Sequence, residues 1–192
     1  MDIDLLGVID NCKEGDLQSF KELFLHFKDK AYRIAYLITR DHGLSEDAVQ
    51  EAFIKVYSQI DNLKDPKAFH TWFYRIVVNT TLDLLKYNND IPTDNIMIIS
   101  NDDNNPETAS LQNEKRDRIL EAIYSLKPMY RVVIILRYYQ ELKIKEISRI
   151  LDIPAGTVKS RLYKAKSLLK RAIKDDPCTM IKYKKEVDCN DK

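Results

Sequence analysis

One stretch, residues 141–171 (ELKIKEISRILDIPAGTVKSRLYKAKSLLKR), most narrows the folds open to this chain. It reads as a helix, a tight turn over 152–155 and a second helix loaded with Lys and Arg. Ile144, Ile147, Ile150 and Leu151 supply one apolar face, and Val158, Leu162, Ala165 and Leu169 the facing one. Ser148 puts a small side chain where the two helices must approach closely. Asp152 occupies a turn position that calls for positive φ, which Asp tolerates better than most residues. Such a pair is a helix-turn-helix, a device that lays its second helix in the major groove of DNA.

The charge distribution points the same way. Residues 116–174 hold 15 Lys/Arg against 5 Asp/Glu, a net of +10. Residues 1–87 carry −3, residues 88–115 carry −5 and residues 175–192 carry −1, so the chain as a whole is only +1. A near-neutral protein therefore contains a strongly basic module, the electrostatic footprint of a polyanion partner. On the second helix the outward positions are Thr157, Lys159, Ser160, Arg161, Tyr163 and Lys164. Arg takes guanine bidentately, while Lys and Ser more often meet phosphates. A merely solvated basic face is the competing reading, and the asymmetry over the whole module weighs against it.

Upstream, the helical period dominates, and only 4 Gly and 6 Pro interrupt 192 residues. The expected fold class is all-α. Leu17, Phe20, Phe24, Phe27, Ala31, Ile34 and Ile38 give a first helix over 16–41, with Asp16 as N-cap and Gly43 beyond its end. Ser45 is the expected N-cap of a second helix, with Glu46 and Asp47 in its first turn. Its buried stripe is Ala48, Val49, Ala52, Phe53, Val56 and Ile60; Asp47, Gln50, Glu51 and Lys55 face water. The stretch 62–66 breaks the pattern. A third helix over 68–86 has Phe69, Trp72, Phe73, Ile76, Val77 and Leu84 as core. Residues 88–113 are rich in Asn, Asp and Pro, lose the period and read as a flexible acidic linker. The period resumes from 116, and Pro128 suits the first position of a helix ending near Tyr139. Two small helical modules, 1–87 and 114–174, follow, with a disordered tail at 175–192.

Several function classes are disfavoured. Cys12, Cys178 and Cys189 are widely separated, and His26, His42 and His70 are not at metal-ligand spacing with them, so neither a metal nor a cofactor is expected. No Ser/His/Asp set or Gly-rich phosphate loop stands out. The N-terminus is acidic rather than basic, and no apolar run nears the ~18 residues of a membrane span. A cytoplasmic protein that is not an enzyme is the expectation. A bare helix-turn-helix leaves open an ordinary regulator whose N-terminal module dimerises or senses a ligand.

The N-terminal module narrows this further. The run SEDAVQEAFIKVYSQIDNLKDPKAFHTWFYRIVVNTTLDLL resembles region 2 of the bacterial sigma-70 family, in particular the small extracytoplasmic function (ECF) sigma factors. GTVKSRLYKAKSLLKR resembles their region 4. The resemblance covers about 150 of the 192 residues, in family order on either side of the acidic linker. It implies a transcription initiation factor that binds core RNA polymerase, through the β′ clamp helices and the β flap, and promoter DNA. An anti-sigma factor, often membrane-anchored, is the implied restraint.

The resemblance also implies residue roles. Asp47, Gln50 and Glu51 would dock on the clamp helices. Lys55, the loop residues Asn62, Leu63 and Lys64, and the helix residues Trp72, Tyr74, Arg75, Asn79 and Asp83 would meet the −10 element, with Asn79 serving strand opening. Thr157, Lys159, Ser160, Arg161, Tyr163 and Lys164 would read the −35 element, and Arg149 would touch its phosphates. Ser148 and Asp152 depart from the Ala and Gly usual in the motif, and Lys86 stands where relatives often carry an arginine pair.

Overall fold

The computed structural model describes residues 4–90 and 118–173, with the side chains of 89 and 90 left out. The linker expected at 88–113 and the tail expected at 175–192 lie almost wholly outside them. The described residues form eight helices, and no strand occurs among them. These are α1 (Leu5–Lys13), α2 (Leu17–Thr39), α3 (His42–Gln59), α4 (Phe69–Asp90), α5 (118–124), α6 (Pro128–Ile134), α7 (Ile144–Leu151) and α8 (Ala155–Ala172).

Helix α1 was not expected. Asp4 caps it by accepting from the Gly7 amide at 3.3 Å, and Val8, Ile9 and Cys12 turn inward. Asp16 caps α2 as expected, accepting from the Ser19 amide at 2.9 Å and the Ser19 hydroxyl at 2.5 Å. The buried stripe of α2 is Leu23, Phe27, Ala31, Ile34, Ala35 and Ile38. Leu17 is exposed and Phe20 and Phe24 are only half-buried, because their rings pack edge-on against Tyr57 and Phe53 at the rim of α3.

The junction between α2 and α3 differs from expectation. Helix α2 ends at Arg40, in the left-handed conformation (φ 60°), and Asp41 caps α3 by accepting from the Leu44 amide at 2.7 Å. Ser45 is therefore not a cap. It lies inside the first turns of α3, fully buried, with its hydroxyl on the Asp41 carbonyl and against the Thr39 hydroxyl. The rest of α3 buries Ala48, Val49, Ala52, Phe53 and Val56, with Ile60 just beyond, as its period requires.

Helix α4 packs against α2 and α3 on one side and against α7 on the other. That second neighbour explains why its burial spreads past the expected stripe, to Tyr74, Val78, Thr80 and Thr81. In the second half, residues 132–136 are all buried, and α6 runs into a wider π turn over Ile135–Tyr139. The Leu142 amide then donates to the Leu136 carbonyl, and Arg137 donates to the Leu142 carbonyl at 3.1 Å, folding the chain back into α7. Asp152 closes α7 at φ 52°, the left-handed position expected of it. The buried side chains of both halves form one connected apolar set.

Candidate nucleic-acid and polymerase interfaces

Three faces gather the residues singled out above. The first is the outer side of α3. Asp47 and Gln50 are exposed there, and the half-buried Glu51 pairs with Lys55 at 2.7 Å. Ile54 stands among them, 68% exposed. It was not singled out from sequence, although its place four residues after Gln50 and three after Glu51 puts it on the same helix face.

The second face is a groove of ≈ 380 Å³ between α3 and α4. It brings together Lys55, Trp72, Arg75, Asn79 and Asp83, and adds Gln59, Ile76 and Thr80, which sequence reasoning missed. These three lie one helical turn from groove residues on the same helix, which is the signal that was available. Lys55 donates to the buried Thr80 hydroxyl at 3.1 Å, which holds the ammonium over the groove wall. Trp72 is half-buried, tilted against Phe69 at 5.9 Å, so one part of its ring anchors while the rest lines the groove.

Two residues assigned to the −10 element do not present a surface. Leu63 is buried (5% exposed), and its carbonyl accepts from the Lys13 ammonium of α1 at 2.6 Å. Tyr74 is buried (7%) beside Phe73, and that burial pushes its phenol pKa upward. Helix α1, absent from the sequence reading, supplies the Lys13 that holds the Leu63 carbonyl. Asn62 and Lys64 are exposed on the loop. The loop is shaped by short helical turns over Ile60–Asn62 and Pro66–Ala68, the latter capped by Asp65 accepting from the Lys67 amide at 2.9 Å.

The third face is α8. Val158, Leu162 and Ala165 are buried against the rest of the second half. Lys159, Ser160, Lys164 and Tyr163 (79% exposed) project outward, and Thr157 and Arg161 are partly covered. The buried Nε of Arg161 has no hydrogen-bond partner. Arg149 on α7 is exposed. Among the described residues no cluster of three metal-ligating side chains occurs, and no helix is long and apolar enough to cross a membrane.

A basic helix on a helix-turn-helix, with a polar and aromatic groove between α3 and α4, is the arrangement of an all-helical DNA-binding protein. Comparison with known proteins makes this specific. Residues 23–90 match the family model for sigma-70 region 2, and residues 116–169 that for sigma-70, region 4. The ECF RNA polymerase sigma factor SigW of Bacillus subtilis (strain 168) is 35% identical over 178 residues, spanning 87% of this chain and 95% of that protein. The ECF RNA polymerase sigma-E factor of Escherichia coli (strain K12) is 33% identical over 175 residues, 84% of this chain and 90% of its own. The fold is shared with CnrH, solved with the cytosolic domain of CnrY (TM-score 0.66, 18% identity, 90% of this chain and 98% of that one). It is also shared with the sigma factor RpoE of Bartonella quintana, solved with the anti-sigma factor NepR (TM-score 0.64, 20% identity, 83% and 99%).

The chain belongs to the sigma-70 family, in its ECF group of RNA polymerase sigma factors. It acts with core RNA polymerase to direct initiation at specific promoters. Sigma factors are non-catalytic initiation factors, and the polymerase performs the chemistry.

Proposed function

We propose that the work is divided between two modules. Residues 1–87 dock core polymerase and open the −10 element, and residues 114–174 read the −35 element as duplex. The observation that carries this is the α3–α4 groove, where Lys55, Arg75, Trp72, Asn79 and Asp83 converge on a single ≈ 380 Å³ space. Two cations beside an aromatic ring and an amide suit an unstacked nucleotide. The cations meet phosphate, the ring takes a base face, and the polar groups take base edges.

In this reading Asp47, Gln50 and Glu51 dock on the β′ clamp helices. On α8 the residues Thr157, Lys159, Ser160, Arg161, Tyr163 and Lys164 enter the major groove, while Arg149 meets phosphate and the second module also engages the β flap. The linker at 88–113 tethers the modules, and its acidity suits the path of single-stranded nucleic acid. Each module alone binds promoter weakly; core polymerase sets their separation, which makes the second contact effectively intramolecular. The chain works in the cytoplasm, catalyses nothing itself, and is restrained by an anti-sigma factor, as RpoE of Bartonella quintana was solved in complex with one.

Holoenzyme binding to a single-stranded −10 oligonucleotide tests the groove. Trp72→Ala is expected to weaken it roughly tenfold while sparing binding to a −35 duplex, since base–aromatic stacking contributes about 1–3 kcal/mol. Equal affinity in the variant and the wild type would remove the groove from the mechanism.

A further inference from the structure

Helix α1 packs against both short turns that frame the loop between α3 and α4, Ile60–Asn62 and Pro66–Ala68. Its own last carbonyls are taken by main-chain amides. Glu14 donates to Asp10 and Asn11, Gly15 to Cys12 and Asp16 to Asn11. Gly15, at φ 85°, turns the chain out of the helix, as glycine does without strain. The Lys13 ammonium is therefore not required at its own helix end. It reaches across 50 residues of sequence and donates to the Leu63 carbonyl at 2.6 Å.

Leu63 is thereby pinned at three points. Its side chain is buried, its amide donates to the Ile60 carbonyl at 3.0 Å, and its carbonyl is held by Lys13. The amide bond is local to the loop, whereas the Lys13 bond comes from a different helix. A hydrogen bond from a charged donor is also stronger than a neutral one. The backbone at Leu63 is extended (φ −74°, ψ 98°), so the side chains on either side of it alternate with its own. Leu63 turns inward, and Asn62 and Lys64 are exposed. Fixing the Leu63 peptide therefore fixes the direction of both neighbours. An amide and an ammonium two residues apart suit the base edge and the phosphate of one unpaired nucleotide.

We infer, on the division of labour proposed above, that Lys13 is a positioning residue for −10 recognition: its ammonium sets the Leu63 peptide so that Asn62 and Lys64 are presented to an unpaired nucleotide. Lys13 is half-buried and acts through Leu63 rather than on the strand. It removes freedom from the loop before the strand arrives, which lowers the entropy lost on binding.

A double-mutant cycle separates positioning from stabilisation of the fold. Holoenzyme reconstituted from each full-length variant and core RNA polymerase is titrated with a single-stranded −10 oligonucleotide. Lys13→Met keeps an unbranched apolar stem and removes the donor. It is expected to weaken oligonucleotide binding roughly tenfold, the scale of one hydrogen bond to a charged group. Lys13→Arg keeps a donor and is expected to return most of that loss. Asn62→Ala and Lys64→Ala are each expected to weaken binding in the otherwise wild-type chain. In Lys13→Met they are expected to have little further effect, because neither side chain is then held toward the strand. Wild-type affinity in Lys13→Met overturns the positioning role. Full additivity of Lys13→Met with both loop variants also overturns it, since that is the pattern of a residue that only stabilises the fold. Wild-type affinity in Asn62→Ala and Lys64→Ala would instead remove the loop from the −10 contact, and the role of Lys13 with it.

Discussion

Ser148 donates its hydroxyl to the main-chain carbonyl of Ile153, 2.6 Å away across the turn of the helix-turn-helix. The bond ties the end of α7 to the segment that launches α8, with Asp152 held in the left-handed conformation between them. Ser148→Ala is expected to destabilise the chain by about 1 kcal/mol, the usual net contribution of such a bond. Urea unfolding of the full chain measures it. An unchanged midpoint would mean that solvent satisfies the Ile153 carbonyl equally well.

Phe27 is fully buried where α2 meets α4, with ring centroids of Phe69 and Phe73 at 5.2 and 5.0 Å. Phe27→Ala removes the ring at the centre of this aromatic cluster and is expected to cost about 3–5 kcal/mol. A loss below 1 kcal/mol in the same unfolding assay would show that the neighbouring rings collapse into the space.

Cys12 titrates abnormally. Burial, then the nearby charges of Asp16 and Glu22, push its thiol up to about 11 from 9.0. The folded thiol holds its proton more tightly than the unfolded one, so its contribution to stability is complete below pH 9 and declines as pH rises toward 11. Stability measured across that window is expected to fall more steeply in wild type than in Cys12→Ala. Parallel curves would contradict the shift.

The two DNA faces separate by their readouts. Arg161→Ala is expected to cost about 1–3 kcal/mol at one −35 position if its guanidinium reads a base. A uniform loss over a series of −35 variants would reduce it to a phosphate contact.

Asn79→Ala is expected to leave −35 binding intact and to lower permanganate reactivity of −10 thymines in the holoenzyme complex. Normal reactivity would exclude Asn79 from strand opening.

What could be read from sequence was local. Helices α7 and α8, the left-handed Asp152 and the buried stripe of α3 follow from apolar spacing and turn chemistry within a few residues. The start of α3 was misplaced because Asp41 and Ser45 are both good caps. The α2–α3 junction decides between them, by turning the Ser45 hydroxyl back onto Thr39 and the Asp41 carbonyl. Helix α1 was missed, and with it the Lys13 ammonium that binds the Leu63 carbonyl. The contact between Arg40 and Glu121 was not legible at all. Arg40 and Glu121 are 81 residues apart, and no periodicity spans such a distance.

The most direct measurement combines the purified chain with bacterial core RNA polymerase on a sizing column, followed by transcription from a library of random promoters. Co-elution with new transcripts that depend on −10 and −35 sequences is the expected result. Failure to associate with core, alongside tight duplex binding by the chain alone, would contradict the assignment of α3 and α4 to polymerase docking and promoter opening.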